Sequence, residues 1–349
     1  MPKPHKQLPT TPIPRLHHSS PQIREHLIRG EPCVITHCPL INKLVDLWTF
    51  DHLATTTFDG SERLQVHYAP AASSGATPFA RIYGDGLGAG GVCGMTFARF
   101  AAAAAAQRES AYRHYLAAPL LHAGTPEQKR AARDNDDLGL DDEDDDASSS
   151  SPTGLRDLVV SVLKGTIEDE LLGLIDWDYL GRVQSTAKDG SPFDLCQMWA
   201  GMSDGGATPM HFDALSNLLA QIRGRKRVLL FPPSQSFRLY PFPVGHPRDN
   251  YAMVLDPNAA DNATTFPAFH GARALEATLS PGDVLWLPKY YWHYVTQLGE
   301  HEENLSLNFW GGRKGVGDFK KEVWEAAKRP PSEEAVMEAA RMSASHHRR

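Results

Sequence analysis

The chain has 349 residues, 41% hydrophobic and 22% charged, a balance ordinary for a soluble globular protein and long enough to bury a sizeable core. Its formal charge of −7 misrepresents the body, because nine acidic residues and no lysine or arginine lie between Asp134 and Asp146; without them 35 basic residues face 33 acidic ones, a net of +2, which argues against direct nucleic-acid binding. No apolar run approaches membrane-spanning length, and four cysteines (Cys33, Cys38, Cys93, Cys196) make no disulfide framework.

Met1-Pro-Lys-Pro-His-Lys has no apolar leader core, so the expectation is a cytoplasmic or nuclear protein with reduced thiols and no membrane partner. Residues 1–14 are proline-rich and expected to be mobile. A helix is predicted over 20–29, with Ser20 as N-cap, Pro21 in the first turn and Ile23, Leu27 and Ile28 on one face. Gly30-Glu-Pro ends it, and Cys33–Thr36 reads as a short buried strand. Residues 70–94, rich in Gly, Ala, Ser and Pro, predict a loop anchored at Phe79, Ile82 and Tyr83. Six consecutive alanines within 95–112 predict a helix, and their small side chains place it at the periphery.

Residues 125–153 combine the acidic run with four serines and Pro152, too little apolar area to offset ordering entropy. The segment reads as a solvated insertion, with serines beside acids as an acceptor pattern for acidophilic kinases. Helical patterning resumes at 155–163 and 167–183. From Leu195 short apolar or alternating runs appear at 195–200, 218–222, 228–231, 277–279, 284–287, 293–298 and 305–309, separated by turn residues. That spacing implies a β-sandwich or jelly roll. Two helices, over 317–328 and 332–342, close the chain.

The chemistry concentrates in Thr208-Pro-Met-His-Phe-Asp213 and in Lys289-Tyr-Tyr-Trp-His293-Tyr. His211 and Asp213 are two apart, so on an extended segment both side chains leave one face. His293, from another strand, completes a set of two imidazoles and a carboxylate that suits iron(II) with three adjacent positions open. Sixteen histidines make a chance His-x-Asp pair common, so the neighbours matter. Lys226 enters the strand at 228–231, where a lysine aimed into a barrel is costly without an anion. The partner expected there on a functional reading is the carboxylate of a small diacid, to which Thr208 and Tyr115 would add hydroxyl donors; the alternative is a strand-end lysine in solvent.

The block 208–310 resembles the cupin-fold JmjC-type oxygenases that depend on 2-oxoglutarate and iron(II), and within them most resembles the asparaginyl hydroxylase that inhibits the hypoxia-inducible transcription factor. Thr208-Pro-Met-His-Phe-Asp, the run from Asn217 to Pro233, Leu239-Tyr-Pro-Phe-Pro-Val-Gly-His-Pro, Pro281-Gly-Asp-Val-Leu-Trp-Leu-Pro and Asn308-Phe-Trp carry the likeness. A fainter match reaches back through Tyr115-Leu and Ile13-Pro-Arg-Leu. The resemblance implies a double-stranded β-helix with flanking helices, an N-terminal α/β elaboration and C-terminal helices. It implies His211, Asp213 and His293 as iron ligands and Lys226, Thr208 and Tyr115 at the distal carboxylate of 2-oxoglutarate. Asn217 and Asn308 would line the metal-proximal end, with Trp310, Asn250 and Tyr251 beside a peptide substrate; for Trp310 a core tryptophan at a strand end is the other reading. Iron(II), 2-oxoglutarate and O2 are the implied cofactors and co-substrates, with succinate and CO2 as co-products. The pattern departs from the hydroxylase at Ala117, Leu215 and Tyr251, where that protein has glutamines, which bears on the peptide and not on the iron.

These readings divide the chain into a tail (1–14), the N-terminal part of the catalytic domain (15–124), the insertion (125–153), the cupin core (154–312) and C-terminal helices (313–349), the last suited to homodimerisation. The function expected is hydroxylation of a protein side chain, asparagine or a related residue, in a flexible or ankyrin-type peptide. Methyl-lysine demethylation, a non-catalytic cupin scaffold and a zinc hydrolase are the alternatives. The scaffold has no use for a complete triad, nor the hydrolase for Lys226.

Overall fold

In the computed structural model the described residues are 8–70, 77–78, 91–123, 155–163, 165–188, 193–203, 206–242, 246 and 248–311. The alternating runs pair into two sheets. The smaller has six strands in the order β1 (Thr10–Pro12), β13 (Ala274–Leu279), β12 (Arg225–Phe231), β15 (Trp292–Leu298), β10 (Gly206–His211) and β5 (Thr77–Pro78). The larger runs β2 (Arg15–His17), β3 (Cys33–Thr36), β14 (Val284–Leu287), β11 (Ser216–Arg223), β16 (Glu303–Gly311), β9 (Phe193–Met202), β7 (Tyr112–Ala123), β4 (Leu64–Pro70) and β6 (Gly91–Met95), with β8 (Val159–Ser161) paired to the end of β7. This is the jelly roll expected from the strand spacing, mainly β with flanking helices.

Side-chain alternation sorts the strands into an inner and two outer faces. On β12, Val228 and Leu230 pack with Leu219, Leu285 and Leu287 of the opposite sheet, filling the space between the sheets. Leu229 and Phe231, on the other face of β12, join Phe212, Leu239, Phe269 and Trp292 under the 232–273 connection. The outer face of the larger sheet, with Leu218, Leu305, Leu307, Phe309 and Met198, is covered by N-terminal elements through Trp48, Phe97, Phe100, Leu171 and Leu180. The interior between the sheets is therefore apolar at one side and open to polar residues elsewhere, which is where the site lies.

Several expectations need correction. Residues 10–12 of the tail form β1 parallel to β13, and Ile13 is buried between the sheets, so the tail is pinned from Thr10. The first helix is Gln22–Arg29; the Ser20 hydroxyl accepts from the Gln22 N–H at 3.3 Å, and Gly30, at φ 66°, ends it. Ile23 and Leu27 are buried, but Ile28 faces solvent. The alanine-rich helix is shorter than expected, Phe97–Ala105, and it is not peripheral: Phe97, Phe100 and Ala104 are fully buried. Tyr112 instead opens the twelve-residue β7. The run 155–163 forms a single 3-10 turn and then β8, not a helix. The stretch 167–183 splits into Thr166–Leu174 and Trp177–Thr186, because Asp176 turns its carboxylate onto the Tyr179 N–H (2.8 Å) and caps a new helix. The 70–94 loop gives up residues 77–78 and 91–94 to β5 and β6. Phe79, Ile82 and Tyr83, the insertion 125–153 and the closing helices expected at 317–328 and 332–342 lie outside the described residues.

Candidate metal centre and co-substrate pocket

β10 and β15 are antiparallel neighbours, with Thr208 opposite Val295 and His211 opposite His293. Three residues on β10 therefore span two on β15, a bulge that lets Thr208 and His211 both share the interior face although they are an odd number apart. Phe212 takes the opposite direction and meets Trp292 edge to face at 4.7 Å. Asp213, one residue further, returns inward, and its carbonyl accepts from the Tyr290 N–H at 2.8 Å.

The donor atoms of His211, Asp213 and His293 all lie within 4.8 Å of one another, the one such group of three among the described residues. His211 Nε2 is 3.9 Å from Asp213 Oδ1 and His293 Nε2 is 3.8 Å from Oδ2. Each imidazole turns its Nδ1 to a carbonyl two residues back in its own chain, Pro209 at 2.8 Å and Tyr291 at 3.0 Å. With Nδ1 as donor, Nε2 carries its lone pair toward the centre, the tautomer a metal requires. Burial, reinforced by the neighbouring His211, holds the His293 imidazole at about 4, so it is neutral at physiological pH. Two neutral nitrogens and one carboxylate oxygen fit a divalent first-row metal such as iron(II).

Four residues along β15 from His293, about 13 Å of strand, Gln297 pairs with Lys226 of β12. Lys226 is only 2% exposed, which excludes the solvent-exposed strand-end reading. Its Nζ donates to Ser306 Oγ at 2.5 Å and to Tyr115 Oη at 3.4 Å, and among the described residues it has no carboxylate partner. Burial lowers its pKa from 10.5 to about 7. Tyr115, on β7, stacks on Trp199 of β9 at 5.6 Å. Gly201 leaves room there: a Cβ at that position would stand 2.9 Å from Tyr115 Cδ2 and 3.0 Å from Gln297 Nε2.

Between the two ends the interior faces of the strands carry buried polar atoms without hydrogen-bond partners among the described residues. Asn217 Oδ1, Asn308 Oδ1, the Trp199 indole N–H and both amide atoms of Gln297 are buried and unsatisfied. Leaving buried polar groups unmatched costs about 1–3 kcal/mol each, so a polar ligand or water is the natural complement. A buried lysine at one end, a His-Asp-His triad at the other and unsatisfied amides between them offer charge and hydrogen-bonding groups that could hold a small anionic ligand beside a metal.

The remaining expected residues fall around the metal end. Trp310 Nε1 donates to Asp213 Oδ2 at 3.2 Å. Tyr251 stacks on His211 at 5.4 Å and 22°, and the two are bridged in the backbone. Asn250 accepts the Phe212 N–H through its carbonyl at 3.0 Å and donates its side-chain N–H to the Phe212 carbonyl at 3.4 Å, so it braces the metal strand. Thr208 stands on the interior face beside Val295, with no hydrogen bond to Lys226. Ser306, Gln297 and Trp199 were not anticipated. For two of them a signal is period two: Ser306 precedes Asn308 by two and Gln297 follows His293 by four, so each shares a face with a residue already singled out, while Trp199 has no such signal.

A family model described as a cupin-like domain matches residues 19–311. HSPB1-associated protein 1 of Mus musculus is 39% identical over 114 residues, covering 32% of this chain and 23% of that protein. Lysine-specific demethylase 8 of Danio rerio is 30% identical over 167 residues, 45% of this chain and 40% of that protein. Jumonji C domain-containing protein 5 of Drosophila melanogaster is 34% identical over 113 residues, 32% of this chain and 26% of that protein. The chain thus matches less than half the length of each of these relatives. No helix among the described residues is long and apolar enough to cross a membrane.

Proposed function

This chain belongs to the cupin-like domain family, and from that premise we propose that it is a 2-oxoglutarate and iron(II) dependent dioxygenase that hydroxylates a protein side chain. The observation that carries the reading is Lys226: a buried lysine with no carboxylate partner among the described residues, in the same interior as a His-Asp-His set. Relatives named for the Jumonji C domain and for demethylation support an oxygenase of this type. The asparaginyl assignment rests on the motif match from Thr208 to Trp310 alone.

Bound together, iron(II) and 2-oxoglutarate supply oxidative decarboxylation of the keto acid by O2, giving succinate and CO2, with one oxygen atom entering a substrate C–H bond. The chain's own part is placement. His211, Asp213 and His293 hold the metal. Lys226, Ser306 and Tyr115 take the distal carboxylate, which restores full charge to Lys226. Asn217, Asn308 and Gln297 satisfy their amides against the rest of the co-substrate. Tyr251 and Trp310 flank the metal and bound the space left for a peptide, keeping water from it.

Succinate formation from 2-oxoglutarate, with added iron(II) under air, tests this directly in wild type and Asp213→Ala, with and without a pool of ankyrin-repeat peptides. Turnover that requires Asp213 and rises with peptide, accompanied by a one-oxygen mass gain on asparagine, is the expected result. No turnover and no 2-oxoglutarate binding in folded, iron-loaded protein would refute it and favour the scaffold. A second reading, methyl-lysine demethylation, draws on the match to a protein named lysine-specific demethylase 8 over 45% of this chain. Formaldehyde release from methylated peptides separates it from stable hydroxylation.

A further inference from the structure

We infer that Trp310 is a positioning residue for Asp213, setting which carboxylate oxygen is presented to the metal. The inference rests on the oxygenase reading but concerns a contact that reading does not use. The two imidazoles are each oriented by a hydrogen bond from Nδ1 to their own strand. Among the described residues Asp213 has no such local device. It lies past the end of β10, and its side chain is 27% exposed against 14% for His211 and 7% for His293. A carboxylate so placed rotates, chelates through both oxygens or turns to water unless something holds it.

The indole of Trp310 supplies that hold. Its Nε1–H donates to Asp213 Oδ2 at 3.2 Å. Trp310 is 9% exposed and sits on β16 between Asn217 of β11 and Leu195 of β9, so the donor is fixed by strands on both sides. The bond also crosses the mouth of the jelly roll: both histidines belong to the smaller sheet and Trp310 to the larger. Oδ1 lies 3.9 Å from His211 Nε2 and Oδ2 3.8 Å from His293 Nε2, so both oxygens reach the centre; with Oδ2 engaged by the indole, Oδ1 would be the oxygen left for a single metal bond. One-oxygen ligation keeps the adjacent positions free for a chelating co-substrate and O2. Outer hydrogen bonds that orient metal ligands typically change metal affinity by about 10- to 100-fold. Had Trp310 only contacted peptide, its removal would leave metal affinity alone.

The test titrates manganese(II), a redox-stable probe, into the full chain without 2-oxoglutarate, read by calorimetry and by the electron paramagnetic resonance of the bound ion. Wild type is expected to bind one equivalent that Asp213→Ala loses, and that pair of results tests, apart from Trp310, the metal site on which the oxygenase reading depends. Trp310→Phe is expected to raise the manganese Kd at least about tenfold. Because phenylalanine also removes packing, a second variant replaces Trp310 with β-(3-benzothienyl)alanine, which keeps the bicyclic shape and substitutes sulfur for the N–H. The same loss of affinity is expected there, with apo thermal unfolding close to wild type. Wild-type affinity in the benzothienyl variant overturns the inference and leaves the oxygenase reading standing. Absence of manganese binding in the wild type sinks both.

Discussion

Replacing Lys226 with methionine removes a buried cation, and the structure gives a size and a sign for the effect. The folded value near 7 against 10.5 for the free side chain means that burial opposes the charge by about 5 kcal/mol, at about 1.4 kcal/mol for each pH unit. Between those values the unfolded chain holds a proton that the folded chain releases. The penalty is therefore full below pH 7, shrinks as pH rises and is gone above 10.5. Over pH 7 to 10 the wild-type apo protein should gain about 3 kcal/mol relative to Lys226→Met. The substitution also removes the hydrogen bond to Ser306, worth about 1 kcal/mol at any pH. Urea unfolding of both proteins at several pH values measures the difference, in which other titrating groups largely cancel. Lys226→Met should be the more stable of the two at pH 7 and should lose that advantage by pH 10, while only wild type is stabilised by 2-oxoglutarate. A difference that is flat with pH, or a methionine variant less stable at pH 7, would refute the account of Lys226 as an uncompensated charge awaiting an anion.

Other perturbations probe separate parts of the fold. Gly201→Ala introduces a Cβ against Tyr115 and Gln297, so 2-oxoglutarate affinity should fall at least about tenfold, for a loss of 1.4 kcal/mol or more, while manganese affinity, measured in the same titrations, stays near wild type. Gly224→Ala, at φ 64° with a Cβ that would stand 2.5 Å from the Glu303 carbonyl oxygen, should destabilise the protein by about 2 kcal/mol or more in denaturant melts. Glu170→Gln weakens a carboxylate that accepts from Trp48 (2.7 Å), Thr57 (3.0 Å) and His52 (2.8 Å), and should cost about 1–3 kcal/mol of stability with the metal site untouched.

The metal set and Lys226 were legible because strand alternation is a property of the chain itself: two residues apart means one face, wherever the strand ends up. The same rule makes β11, β12, β15 and β16 readable as strands. β7 was not, because a run of alanines precedes it and Pro119 interrupts it; the structure accommodates Pro119 at a register shift before Leu121. Ser306, Gln297 and Trp199 carry no motif, and their role depends on which strands lie opposite, a fact of long-range pairing. The break at Asp176 was visible in principle as an Asx cap, but the apolar period continues across it and conceals the boundary. Asn250 shows the reverse limit: a family position can match while its side chain serves the backbone of the neighbouring segment.

The register of the barrel also acts as a ruler. On β16, Ser306 and Trp310 mark the cation and metal ends with Asn308 between them, and Gln297 and His293 repeat the same interval on β15. A slip of one residue in β16 would turn Leu305, Leu307 and Phe309 inward and all the polar markings outward. The gap between Lys226 and the His-Asp-His triad is therefore quantised in pleats and cannot drift by small backbone adjustments. For the diacid proposed above, a change in length would be met at the ends, by the reach of the residue at position 226 or by the proposed ligands at 211 and 293, while the scale between them stays fixed.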